Sequence, residues 1–159
     1  MVYRFPSKSE FVEVGVYQGR SLYYLLNEIV NLSKEIYVYG IDHFKYLSSD
    51  MQAITESNLR QFMGKYVLIK GRSLIIAKKF RDKSLDFVFI DAGHKYREVK
   101  NDIYAWMCKI KQGGVIAGHD YNGFHKEGGY PGVNRAVDEI FGDRVIKDYI
   151  DEDCWLVNL

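Results

Sequence analysis

No run of this sequence is apolar for long enough to span a membrane, and the opening residues, MVYRFPSKSEFVEV, scatter charges where a signal peptide would be continuous. The expectation is a soluble, cytoplasmic protein that makes no membrane contact. Charge of one sign is also missing: 22 basic residues stand against 21 acidic ones, which leaves no net field to concentrate a polyanion. Nucleic acid is thereby excluded as the default partner. Cysteine is scarce. Cys108 and Cys154 lie far apart with no CxxC, and Cys108 falls within an apolar helical pattern, so neither a zinc site nor a redox pair is supported and a reducing compartment fits. Internal repeats, low-complexity tracts and linkers are absent too. The chain, 159 residues and 47% hydrophobic, can bury one sizeable core, so residues 1–159 read as a single domain.

What is present alternates along the chain. FVEVGV reads as a short apolar strand, and SLYYLLNEIVNL carries Leu22, Leu25, Leu26, Ile29 and Val30 on one helical face. IYVYGI repeats the strand, and a helix follows whose start is marked by Ser49 with Gln52 three residues on, a capping-box pattern. YVLIK precedes a short helix over 73–80. LDFVFI precedes a helix that sets Val99, Ile103, Trp106, Met107 and Ile110 on one side. After the strand GVIAG, Pro131 and Gly132 open a helix with Val133, Ala136, Val137 and Ile140 inward, which Gly142 can end.

Strands apolar almost throughout, separated by amphipathic helices, require a parallel sheet covered on both faces, which is a doubly wound α/β fold. RVIKDYI and CWLVNL are separated only by Asp151, Glu152 and Asp153, too few residues for a parallel crossover, so the chain must close on an antiparallel hairpin. The stretch from Tyr121 to Tyr130, rich in Gly and His, reads as a long loop and a candidate substrate lid.

In open α/β sheets ligands sit beyond the carboxyl ends of the strands, so the corners that follow each parallel strand carry the functional reading. The first corner, E-V-G-V-Y-Q-G-R-S, places Gly15 and Gly19 between strand and helix. Small residues there let a ligand approach the backbone, and the helix start favours an anionic group such as a carboxylate. The GxxxG spacing departs from the GxGxxG of pyrophosphate-binding dinucleotide sites. Asp42 ends the second strand in G-I-D-H-F, where an acid can accept from both hydroxyls of a ribose; a helix cap competes with that reading for the residue alone. In the third corner, Arg72 and Ser73 can flank an adenine, and Ser73 would serve equally as a helix N-cap. The fourth and fifth, I-D-A-G-H-K-Y and I-A-G-H-D-Y, bring Asp91, His94, His119 and Asp120 to the ends of neighbouring strands. Two carboxylates and two imidazoles exceed what helix capping accounts for, and they are the donor types of metal ligation and of general acid–base work.

Together, EVGVYQGRS, GIDHF, IDAGHKYREVKNDI, KQGGVIAGHDY and PGVNRAVDEIF resemble the class I S-adenosylmethionine-dependent methyltransferases, in particular the small O-methyltransferase-like group called the methyltransferase-24 family. The match runs nearly end to end, from about Glu10 to Leu159. The first segment is also similar to the corresponding loop of catechol O-methyltransferase. The resemblance implies a Rossmann-like, seven-stranded, mostly parallel sheet ending in an antiparallel hairpin, in agreement with the short DED connection. It implies that Glu13, Gly15, Tyr17, Gly19 and Ser21 line the methionyl end of S-adenosyl-L-methionine, that Asp42 holds the ribose, and that His43 lies beside the adenine with Arg72 and Ser73 at its edge. Asp91 would stand at the reactive end. In metal-dependent relatives, acidic or amide side chains after strands four and five hold a divalent cation, magnesium or manganese. The matching positions are Asp91, His119 and Asp120, of which His119 departs from the all-oxygen pattern that magnesium prefers. His94 falls where catechol-type relatives carry a catalytic lysine, so His94 and Asp91 are the implied catalytic pair, the imidazole acting as base near pH 7.

The chain enters its first strand within about ten residues, so the expectation is that the N-terminal helices that roof the acceptor site in larger relatives are missing. Acceptor recognition then falls to the Tyr121 to Tyr130 loop, to a second subunit of a homo-oligomer, or to a partner protein. The Asn/Asp-Pro-Pro-aromatic signature of amino-methylation on nucleic-acid bases is absent, which argues against base methylation. The leading expectation is methyl transfer to an oxygen of a small-molecule acceptor, a sugar or a phenol. Three others stand beside it: a non-catalytic S-adenosylmethionine-binding module acting with a partner, a nucleotide-dependent oxidoreductase, and non-haem iron chemistry at His94, His119 and one aspartate.

Overall fold

The alternation of apolar strands and amphipathic helices folds as expected in a computed structural model of the chain, which describes residues 2–45, 50–122, 132–147 and 153–159. In chain order the elements are β1 (Glu10–Val14), α1 (Arg20–Asn31), β2 (Tyr37–Asp42), α2 (Met51–Asn58), β3 (Tyr66–Lys70), α3 (Ser73–Ala77), β4 (Leu85–Ile90), α4 (Tyr96–Met107), β5 (Ile110–Gly118), α5 (Val133–Phe141), β6 (Ile146–Lys147) and β7 (Trp155–Asn158). They form one seven-stranded sheet in the order β3-β2-β1-β4-β5-β7-β6. The first five strands pair in parallel; β7 runs antiparallel to both β5 and β6. The expected closing hairpin is therefore present, with 148–152 outside the described residues.

Alternation along the strands feeds two cores, one on each face. Val12, Val14, Val88, Ile90 and Ile116 pack beneath α3, α4 and α5. Phe11, Phe87, Val115 and Ala117 face α1 together with Leu22, Leu26 and Ile29. The chain runs outward from β1 to β3 and then returns to β4, so the order of winding reverses between β1 and β4. Such a reversal opens a crevice at the carboxyl ends of these strands, which is where ligands enter sheets of this kind.

Several local expectations are corrected. Ile110 shares the period of the α4 stripe, yet it begins β5 and pairs with Leu85. Hydrogen bonds from Ser84 and Leu85 N–H to the Lys109 carbonyl fix that pairing, and they override the helical period. Cys108 accordingly leaves the helical pattern and becomes the exposed C-cap of α4. Helix α3 stops at Ala77, short of Phe80, and its N-cap is Arg72 and not Ser73. Helix α2 starts after Asp50, while Gln52 donates along its own helix to Glu56 at 3.0 Å; Ser49, the other half of the expected capping box, lies outside the described residues. So do Pro131 and the 123–130 part of the expected lid. Among the described residues no helix is long and apolar enough to cross a membrane.

Candidate functional site

The strand ends meet because their ladders run one residue past the strands. Gly15 N–H donates to the Ile41 carbonyl and Asp91 N–H to the Val14 carbonyl, each at 2.8 Å. These bonds press the corner after β1 onto the corner after β4. A Cβ on Gly15 would sit 1.9 Å from the Asp91 carbonyl oxygen, and the residue adopts φ +90°, so glycine is required both by space and by backbone conformation.

Asp42, at the end of β2, ties the first corner down. Its Oδ2 accepts from Val16 N–H and Tyr17 N–H, both at 2.9 Å, and its Oδ1 accepts from Phe44 N–H at 2.7 Å. Much of this buried carboxylate is thus spent on organising the loop that would meet a ligand, and a ribose would share oxygens already held by backbone donors. His43 Nδ1 lies 3.7 Å from Asp42 Oδ1.

Glu13 lies deeper, 1% exposed on the α1 face of the sheet. Ser21 Oγ–H, from the first turn of α1, donates to its Oε1 at 2.6 Å. Burial above all, opposed by the Ser21 bond and helped by the nearby Asp91 and Asp42 carboxylates, pushes the carboxyl up to about 8. An acid stands out at an inward strand position, which is ordinarily apolar, and the family resemblance had implied Glu13 at the methionyl end.

The main cleft, about 650 Å³, opens over β1 and β2 and reaches across to α3 and α4. Gly15, Asp42, Arg72 and Ser73 line it, as the strand-end argument expects, and so does His43, which the resemblance implied. Glu13 and Ser21 do not line it. Tyr17 is half exposed with φ +49°, and Gly19 lines a separate shallow hollow with Tyr23 and Tyr24. Neither belongs to the wall of the cleft. Leu74, Ile75, Ala92, Gly93 and the α4 residues Glu98, Asn101 and Asp102 do belong to it and were not expected. For Asp102 a signal existed: it is the acidic residue within the apolar stripe of Val99, Ile103 and Trp106.

Beside the cleft, a cavity of about 10 Å³, enough for one water, is lined by Asp91, His94, His119 and Asp120. Asp120, at φ +58°, sits between the two imidazoles, with its Oδ2 2.8 Å from His94 Nε2 and its Oδ1 3.3 Å from His119 Nδ1. Hydrogen bonds from His119 and then His94 hold the Asp120 carboxyl well below the usual range. Asp120 in turn raises His94 above its ordinary value. Asp91 is raised chiefly by burial, with His119 opposing. One donor atom from each of Asp91, His94 and Asp120 lies within 4.8 Å of the others. Among the described residues the group that could share a cation thus contains His94, where the family resemblance implied His119.

Residues 12–121 match a family model described as a methyltransferase domain. No curated protein matches the chain. Solved structures share its fold at low identity. A TDP-rhamnose 3'-O-methyltransferase of calicheamicin biosynthesis is 14% identical, with a TM-score of 0.68 over 94% of this chain and 71% of that one. A methyltransferase of Podospora anserina, solved with S-adenosylhomocysteine, is 15% identical with a TM-score of 0.68 over 94% and 71%. A candidate rRNA methylase of Clostridium thermocellum is 17% identical with a TM-score of 0.69 over 98% and 88%.

Proposed function

Because the chain belongs to the methyltransferase-24 family of S-adenosylmethionine-dependent methyltransferases, we propose that it moves the sulfonium methyl of that cofactor to a hydroxyl oxygen of a small molecule, a sugar or a phenol. The observation that carries the cofactor reading is a cleft lined by Gly15 and Asp42, beside which the Asp42 and Asp91 carboxylates lie close enough to Glu13 to help keep it protonated. Like charges so placed raise one another's energy. A ligand bringing a sulfonium and an ammonium cation offsets that cost, whereas a pyrophosphate would add to it.

Gly15 lets the ligand reach the backbone, and Asp42 holds the loop over which the ribose lies. In the transfer the acceptor oxygen attacks the methyl carbon in line, a C–O bond forms as the C–S bond breaks, and the electron pair returns to sulfur. The hydroxyl proton must leave. With His94 Nε2–H donating to Asp120, the basic lone pair is on Nδ1, which takes that proton; a base so oriented is worth about 10²- to 10⁴-fold in rate. In place of that base role, Asp91, His94 and Asp120 would fit a divalent cation, and their mixed oxygen and nitrogen donors suit manganese or a later transition metal better than magnesium. Bound there, the metal would lower the acceptor's pKa as a Lewis acid.

The balance of 22 basic and 21 acidic residues favours a small acceptor over RNA, although one structural neighbour bears an rRNA-methylase name. The test has two stages. S-adenosylhomocysteine should raise the melting temperature by mass action on the folded state, and no shift at millimolar ligand would sink the cofactor reading. Radiolabelled methyl transfer to sugar nucleotides and catechols, with RNA alongside, then decides the acceptor. Binding without turnover on any of them would favour a non-catalytic module.

A further inference from the structure

Asp102 belongs to no strand end, yet it stands in the wall of the main cleft, 6% exposed and flanked on the inward stripe of α4 by Val99, Ile103 and Trp106. A carboxylate in such surroundings costs stability unless donors serve it. Among the described residues one does: Ser73 Oγ–H donates to Oδ1 at 2.5 Å. Trp106 Nε1–H donates to Ser73 Oγ at 2.9 Å. With the indole proton on its oxygen, the serine directs its own proton at the acid, and the chain Trp106–Ser73–Asp102 holds the carboxylate in one orientation as an acceptor. No described residue donates to the second oxygen, Oδ2.

On the cofactor reading above, with the methyl end at β1 and β4 and the ribose at Asp42 on β2, the order β3-β2-β1-β4 puts the base at the corner after β3. Ser73 opens the helix of that corner, so Asp102 stands where the base lies, with Leu74 and Ile75 as the apolar wall. Adenine presents an amino donor there; hypoxanthine presents a carbonyl acceptor. A carboxylate oxygen pairs with the first and repels the second.

Building on the cofactor reading above, we propose that Asp102 selects adenine by accepting a hydrogen bond from its exocyclic amino group, positioned for this by Ser73 and Trp106. A site built to bind a donor strongly rejects an analogue lacking it, because its buried acceptor is then left unpaired. Asp102→Asn keeps an acceptor for Ser73 and turns an amide N–H₂ toward the base, which suits hypoxanthine.

The test is calorimetric titration with S-adenosylhomocysteine and with S-inosylhomocysteine. The wild-type chain should prefer the adenine ligand by about tenfold to a hundredfold, the value of one charge-assisted hydrogen bond. Asp102→Asn should bring the ratio to within about threefold of unity or reverse it, and Ser73→Ala, which leaves Oδ2 in place, should keep a preference of about tenfold. Each ratio is taken on one preparation, so loss of folded protein cancels, and the wild-type ratio needs no variant at all. A wild-type ratio near unity, or an Asp102→Asn ratio equal to wild type, overturns the assignment while leaving the cofactor reading intact. Loss of the preference in Ser73→Ala together with its survival in Asp102→Asn moves the selection to Ser73 and overturns it equally. No binding of S-adenosylhomocysteine by the wild-type chain defeats the cofactor reading and the assignment with it.

Discussion

Replacing Glu13 with Gln should stabilise the protein increasingly as pH rises. Glu13 is 1% exposed, and burial pushes its carboxyl from 4.5 to about 8. Between those values the folded chain keeps a proton that the unfolded chain has released, so the folded state binds more protons and stability falls as pH rises. The cost is absent below 4.5, grows through the interval and is complete above about 8. At 1.36 kcal/mol for each pH unit, it reaches about 3 kcal/mol at pH 7 and levels off near about 5 kcal/mol above pH 8. That is a large share of the 5 to 15 kcal/mol that usually holds a domain together. Glutamine has the same shape, can accept the Ser21 hydrogen bond and does not titrate, so the variant should lack this slope. Urea unfolding of both proteins at pH 5, 6, 7 and 8 gives the difference directly, and the other titrating groups cancel in the comparison. The variant should be within about 1 kcal/mol of wild type at pH 5 and gain on it by roughly 1 kcal/mol per pH unit thereafter. A difference that does not change with pH would mean that Glu13 is ionised in the folded chain, and the reasoning from burial would fail. Binding of a cationic ligand beside Glu13 should release a proton near pH 7, visible as a dependence of the calorimetric enthalpy on the buffer.

Once an acceptor is known, His94→Ala should lower turnover at least tenfold while S-adenosylhomocysteine affinity stays within about twofold; full activity would remove it as the base. Asp42→Ala strips the acceptor from Val16, Tyr17 and Phe44 N–H, so it should cost about 2 to 4 kcal/mol of stability and lower the melting temperature by roughly 5 to 15 °C. A shift under about 2 °C in a thermal melt would show that those donors find other partners. Gly15→Ala places a methyl 1.9 Å from the Asp91 carbonyl oxygen at φ +90° and should destabilise by more than about 3 kcal/mol; a urea midpoint near wild type would mean that the two corners can part at little cost.

The order of elements, the parallel sheet and the closing hairpin were legible in the sequence. Strands buried on both faces must be apolar, their covering helices must be amphipathic, and a connection such as DED is too short for anything but a hairpin. The same rule made Gly15, Asp42, Ser73 and Asp91 legible, since residues after parallel strands share one edge of the sheet whatever their neighbours are. Tertiary structure decided the rest. Whether Asp42 faces a ligand or the loop depends on where Val16 and Tyr17 N–H point, and two corners had to be brought together before that was fixed. His94 and His119 are indistinguishable by spacing; the turn of Asp120 into the left-handed region puts its Oδ2 within 2.8 Å of His94. Ile110 left its helical stripe because pairing with β4 outweighs the local period. Asp102 is the clearest case. Sequence could mark it as an acid among apolar neighbours, but its partner Ser73 lies 29 residues away, and only the packing of α4 against α3 brings the two together, because a hydrogen bond acts over ångströms and sequence patterns record only what is near along the chain.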